Sequence, residues 1–224
     1  MRRRTLDLIF ASGGIVVAAL LAVLGFALST QYAFATDYVK TELGAQKISF
    51  ATADKLTAED TSWKPGSVCL VTYAGQTVET GAQAECFAKY YIAMHMSNSA
   101  INAGFPGATY ATLGTTQTDL RAQISSAKAK GDTTAATDLQ KKLDAATSLR
   151  STMQTGETLR GLLLTTYGFS VLGDMAGLAA NLIYALAIIV VGLSIAGYVH
   201  AIFTPKEEVV FGGVARRAPA PATA

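Results

Sequence analysis

Few residues in this chain could do chemistry. Its only two cysteines are Cys69 and Cys86, which bracket the stretch CLVTYAGQTVETGAQAEC, and its only histidines are His95 and His200. A zinc-type site would need further thiolate or imidazole ligands at close spacing, such as C-x-x-C, and none is present. A dithiol redox site ordinarily wants the same spacing. A disulfide needs only an even number of thiols in an oxidising compartment. Cys69 and Cys86 are therefore expected to pair, which on the chain-entropy model stabilises a loop of this size by ~3 kcal/mol. Met94-His95-Met96 carries soft donors that suit copper. Adjacent helix residues point in different directions, however, so that trio cannot close a site alone. No G-x-S-x-G elbow supports a serine–histidine arrangement around His95. Phosphate-loop and dinucleotide fingerprints are absent as well. The expectation is a protein without catalytic residues, metal ligands or cofactor.

The compartment of the cysteines depends on topology. Of the 224 residues only 15% are charged, against about 25% in ordinary soluble domains. Residues 8–28, LIFASGGIVVAALLAVLGFAL, hold no charge, and residues 175–203 hold none if His200 is neutral. A helix crosses ~30 Å of hydrocarbon with roughly 20 residues, so both stretches are expected to be transmembrane helices. A cleaved secretory signal competes for the first, with Arg2-Arg3-Arg4 as its basic region and Ala33-Phe34-Ala35 as a cleavage pattern before Thr36. The stretch exceeds the roughly 7–15 residues of a signal core, which favours an uncleaved anchor. Arg2, Arg3, Arg4, Lys206, Arg216 and Arg217 flank one side of the spans, against Lys40 and Arg160 on the other. Cytoplasmic flanks carry the excess of bases. The expectation is a two-pass protein of the cytoplasmic membrane with both termini inside: a basic N-terminus at 1–7, an extracytoplasmic domain at 29–174, and a disordered tail at 204–224. Between Thr30 and Arg160 twelve basic residues balance twelve acidic ones, so no basic patch suggests nucleic acid as a partner.

The extracytoplasmic domain reads as mainly α. Tyr32, Phe34 and Tyr38 suit a membrane interface, and the first helix is expected to run on to about Gly44. Trp63-Lys64-Pro65-Gly66 marks a turn. SVCLVTY at 67–73 is rich in β-branched and aromatic residues and predicts a strand. Thr80 can cap a helix through GAQAECFAKYYIAMHMSNSA, with Ala84, Phe87, Ala88, Tyr91 and His95 as its core stripe. Leu120, Ile124 and Ala127, then Leu139, Leu143, Ala146, Leu149 and Met153, predict a helical hairpin over about 115–153. Lys130-Gly131-Asp132 would form its turn, and the hairpin could fold on its own domain or reach a partner. A further helix is expected at about 157–174, entering the bilayer after Asp174. Within the spans Gly14, Ala18 and Ala22, with Gly177, Asn181, Gly192 and Ala196, form small-residue faces for helix packing.

Lys47-Ile48-Ser49-Phe50, TYAGQTVETGAQAECFAKYYIAMH at 72–95 and GETLRGLLLTTYGF at 156–169 resemble motifs of uncharacterised actinobacterial proteins with two membrane spans. Members of that family often carry the label of an aromatic ring-opening dioxygenase. Such chemistry commonly needs iron on two histidines and a carboxylate, and outside the spans only His95 is available. The shared motifs imply a packed core with Tyr73, Gln76, Tyr91, His95, Glu157 and Arg160 as its polar members. The expected function is non-enzymatic: an envelope scaffold or accessory subunit that binds the bilayer and another membrane protein or complex, for which the family context offers a respiratory assembly. A lipid- or small-ligand-sensing domain, with a pocket between 82–99 and 157–173, is the alternative, and an extracytoplasmic enzyme centred on His95 is the second. A membrane-impermeant maleimide should label Cys69 and Cys86 in intact cells only after reduction, whereas labelling confined to permeabilised cells would reverse the orientation.

Overall fold

The computed structural model describes residues 2–205. Of the expected tail at 204–224 only Thr204 and Pro205 are included, and Lys206, Arg216 and Arg217 lie outside the described residues. The protein is mainly α. Its chain divides into two compact units, one of residues 2–33 with 174–205, the other of residues 34–173.

The first unit pairs parts of two helices, α1 (Arg3–Ala45) and α7 (Thr133–Phe203). Both are long and apolar enough to cross a membrane. Only 17% and 11% of their most apolar windows are buried, unlike the core helices of a soluble protein. They meet along a seam of small residues seven apart: Ala11, Ala18 and Gly25 on α1, and Ala180, Ala187, Ser194 and Ala201 on α7. A seven-residue repeat keeps one face of each helix toward its neighbour over many turns. Close approach does the rest, because small side chains let helix backbones pack tightly where lipid offers no hydrophobic driving force. A Cβ on Gly14 would collide with Ser194 Oγ, one on Gly25 would lie 2.9 Å from the Tyr184 ring, and one on Gly177 would lie 2.9 Å from the Tyr32 ring. Gly14, Ala18 and Gly177 thus lie at the seam. Ala22, Asn181, Gly192 and Ala196 do not: they are exposed, and Gly192 has no neighbour within 4 Å of a would-be Cβ. The four-residue spacing read from the sequence drifted off the face that the seven-residue spacing defines.

The second unit holds the disulfide. After α1 the chain turns through Lys47, a non-glycine residue with φ of 53°, into an extended segment. Ser49 bridges Thr77 in antiparallel fashion, flanked by Phe50 N–H to Gln76 O at 2.9 Å and Val78 N–H to Ile48 O at 2.8 Å. The strand expected at 67–73 is instead a turn followed by the one-turn helix α3 (Cys69–Thr72). Ser67 Oγ accepts from Lys64 N–H and donates to Lys64 O, and the helical turn buries Leu70 while leaving Val68 and Val71 exposed. β-propensity reports the fit to a half-buried sheet face, and here the neighbouring segments 48–51 and 75–78 pair with each other. Preceding α3 is the short α2 (Ala58–Ser62).

Cys69, the first residue of α3, is joined to Cys86 across a Cα–Cα distance of 6.1 Å. Cys86 ends α4 (Gly81–Cys86), which Thr80 and Gln83 open with a capping box, a reciprocal bond pair worth about 1 kcal/mol. The helix continues through a π segment, Phe87–Ile92, into α5 (Ala93–Asn102). After Gly104 and Gly107, Thr109 caps α6 (Tyr110–Ala129), several residues earlier than the expected start near 115. Gly131, with φ of 73°, closes it, and Asp132 Oδ1 accepts from Ala135 N–H at 2.9 Å to open α7. The hairpin therefore exists, but its second arm does not stop near Met153. The expected helix at 157–174 is the same helix. Gly156, an unfavourable residue mid-helix by about 1 kcal/mol, sits where a Cβ would lie 2.5 Å from Met96 Sδ, so its smallness serves packing rather than termination.

One cluster of buried side chains joins these parts. Val39 and Leu43 from α1, Phe50, Leu70 and Val78, Ala84 to Ala100 from α4–α5, Leu113 to Ile124 from α6 and Leu143 to Leu163 from α7 all contribute. Replacing Gly14 by Leu is expected to cost ~1–3 kcal/mol by overpacking the seam. Gly192→Leu should stay within about 0.5 kcal/mol. Thermal unfolding of both variants in one detergent compares them.

Candidate functional site

The six residues expected to form one polar core fall into three groups, the first two of which are linked through the Phe50 and Phe87 rings. Gln76 accepts from Gln83 Nε2 at 2.9 Å and donates to Thr72 O, so it buttresses the α4 cap. The Tyr73 ring packs on Phe50 at a centroid distance of 5.5 Å. Tyr91 and His95 form a second group, with Tyr91 stacked on Phe87 at 4.6 Å and His95 edge-on to Tyr91 at 4.3 Å. Glu157 and Arg160 form the third: Arg160 Nη1 donates to both Glu157 carboxylate oxygens at 2.7 and 2.8 Å, and its Nε donates to Ala88 O at 3.1 Å.

His95 is exposed rather than on the core stripe. Between Phe87 and Ile92 the helix is wound wider, as a π segment, and a π-bulge shifts the face of everything after it. Buried positions accordingly run Ala84, Phe87, Ala88, Ile92, Met96, Ala100, and His95 turns outward. Arg160 receives the Ala88 carbonyl in this widened stretch.

Buried polar residues that the sequence reading passed over are Asp60, Ser67, Gln83 and Gln117. Thr57 and Asp60 form a capping box, with Asp60 Oδ2 accepting from both the backbone and the hydroxyl of Thr57 at 2.7 Å. Burial raises the Asp60 carboxyl, but the two Thr57 hydrogen bonds and the nearby His95 outweigh it and hold it below the usual value. Gln117 donates to Thr147 Oγ1 at 2.9 Å and accepts from Arg150 Nη1 at 3.3 Å, a polar layer inside the hairpin. Thr57-x-x-Asp60 and Thr80-x-x-Gln83 are legible as caps in the sequence. Nothing local marks Gln117, whose partners are thirty residues away.

An open groove of about 500 Å³ runs beside Tyr91, His95, Ser99, Thr152, Thr155 and Gly156. Ser99, Thr152 and Thr155 each donate their hydroxyl proton to a carbonyl one turn back in their own helix. Among the described residues His95 makes no side-chain hydrogen bond, so no base is aligned on a nucleophile. Nor do three His, Cys, Asp or Glu side chains among those residues converge to hold a metal ion. Between residues 82–99 and 157–173, where the alternative reading expects a ligand pocket, Leu163 is buried with Ala84 and Ala88 and Gly81 backs onto Ser170, while a cavity of about 270 Å³ opens beside Ala93, Met96, Ser97, Glu157 and Arg160.

The second unit also exposes large apolar residues. On α7 Leu162 and Leu172 are 62% and 66% exposed, flanked by Leu159 and Phe169. On α1 Phe34 and Tyr38 are exposed and stacked at 5.7 Å, and Tyr38 meets the edge of Phe169 at 6.1 Å. Together these six residues make a face that extends three helical turns along α7 before Gly173. Comparison of the chain with protein-family models, curated proteins and solved structures finds no match.

Asp60 supplies a pH test. A carboxyl held low in the fold contributes stability above its unfolded value, and that contribution is lost as pH falls through the folded one. Between about pH 4 and pH 2 the parent should therefore lose more thermal stability than Asp60→Asn, as followed by circular dichroism.

Proposed function

We propose that the protein is a non-enzymatic, two-pass protein of the cytoplasmic membrane, with both termini inside and residues 29–174 outside. In this reading the outer domain docks a second membrane protein, as an envelope scaffold or as an accessory subunit of a larger assembly. The observation that carries the reading is the exposed apolar face of Leu159, Leu162, Phe169 and Leu172 with Phe34 and Tyr38. Exposed large apolar side chains gathered on one domain support an interaction surface, and none of the six belongs to the domain's buried core cluster. The oxidised Cys69–Cys86 pair supports an extracytoplasmic place for the domain. A respiratory host rests on the family resemblance alone.

A photo-crosslinking residue at Leu162 is expected to trap one membrane protein in intact cells, and Leu172→Asp on the same face should abolish the adduct without lowering the unfolding temperature. Crosslinking only to lipid, or an adduct indifferent to Leu172→Asp, removes the docking reading.

A further inference from the structure

We propose that Asp7 and His200 form a proton-operated clasp between the two spanning helices. Asp7 Oδ2 is the buried side-chain oxygen that, among the described residues, has no hydrogen-bond partner. Leaving a buried acceptor unpaired is costly, and more so for a charged one. The oxygen borders a shallow notch of about 250 Å³ between α1 and α7, walled by Phe10, Gly14, Leu193, Ser194 and Gly197. None of those neighbours carries a charged donor. Among the described residues a cationic candidate is His200, whose Nε2 lies 3.9 Å from Asp7 Oδ2. That distance is too long for a hydrogen bond, yet a side-chain rotation closes it to the ~2.8 Å of a charge-assisted one.

Among the described residues, His200 is an ionisable side chain that faces the Asp7 carboxylate. On α7, residues 175–205 include no Asp, Glu, Lys or Arg, and the Tyr198 hydroxyl is engaged with Ser12 Oγ at 2.7 Å. On α1 the charged neighbours are Arg3 and Arg4, one turn before Asp7. The His200 side chain is 57% exposed and that of Asp7 only 21%, so the imidazole is the more accessible of the two groups while the carboxylate is the more sheltered. An imidazole ordinarily changes charge between pH 5 and 8. With its proton, His200 donates to Asp7 and ties the helix ends together. Without it, the carboxylate oxygen is left unpaired and the ends loosen. Helix packing at this end of the spans thereby follows the pH on that side of the membrane.

The test uses the full-length chain, labelled with ¹⁵N-histidine, in phosphatidylcholine nanodiscs. With two histidines in the sequence, His95→Gln assigns the signals. At pH 7 the imidazolium fraction of His200 should fall several-fold in Asp7→Asn and recover in Asp7→Glu, while His95 does not respond. Spin labels on the exposed positions Thr5→Cys and Phe203→Cys should report a broader distance distribution at pH 8 than at pH 6 in the parent. That change should vanish in His200→Gln. An imidazolium fraction indifferent to Asp7→Asn overturns the clasp. So does a pH response that persists in His200→Gln, which would assign Asp7 to Arg3 or Arg4.

Discussion

In the first unit, two helices long and apolar enough to cross a membrane approach each other closely along a seam of small residues. Inside a bilayer, lipid tails solvate leucine as well as another helix does, so contact depends on backbone proximity and dispersion. Gly14 against Ser194, Gly25 against Tyr184 and Gly177 against Tyr32 supply that proximity. The glycines leave no room for a Cβ, and the partner side chains fill the space. Once the seam is set, the outward orientation of every other residue follows. Leu20, Val23, Ile188 and Leu193 are exposed because Ala18, Ala187 and Ser194 face the neighbouring helix. The neighbourhood of Asp7 and His200 is a consequence of the same register.

The second unit meets a different constraint. Its core is assembled in part from short pieces that hardly hold alone. α3 is only four residues long, and an isolated helix of that length is not stable in water. The disulfide from it to Cys86, with the aromatic stack of Phe50, Phe87 and Tyr91, ties the short pieces to the helix that Thr80 caps and that runs through the π segment to Asn102. Arg160 then crosses from α7 to the Ala88 carbonyl, and the widened turn rotates His95 out and Met96 in. Met96 meets Gly156, which lets α5 lie against α7 without a kink. A polar contact seventy-two residues distant along the chain thus accompanies a change in which face of a helix is buried.

The functional features differ in how far they depend on such distant contacts. The apolar face at Leu162 and Leu172 is visible as composition but not as exposure, since a leucine run reads equally well as core. The partners of the six expected polar residues were not legible either. Tyr73, Tyr91 and His95 join one line of ring contacts through Phe50 and Phe87, Gln76 bonds the α4 cap, and Arg160 pairs with Glu157 and the Ala88 carbonyl.

Local chemistry was enough to read the apolar stretches at 8–28 and 175–203, the turn at Lys130-Gly131-Asp132, the Thr80 cap and the pairing of Cys69 with Cys86. Each of these depends on residues adjacent in the chain or, for the thiols, on there being just two. Three-dimensional packing alone decided that residues 67–73 are not a strand, that α7 runs unbroken from Thr133 to Phe203, and that the helix seam repeats every seven residues rather than every four. Those outcomes hinge on which segment a residue meets across space. Propensity and periodicity carry no information about a neighbour that the chain brings back from dozens of residues away.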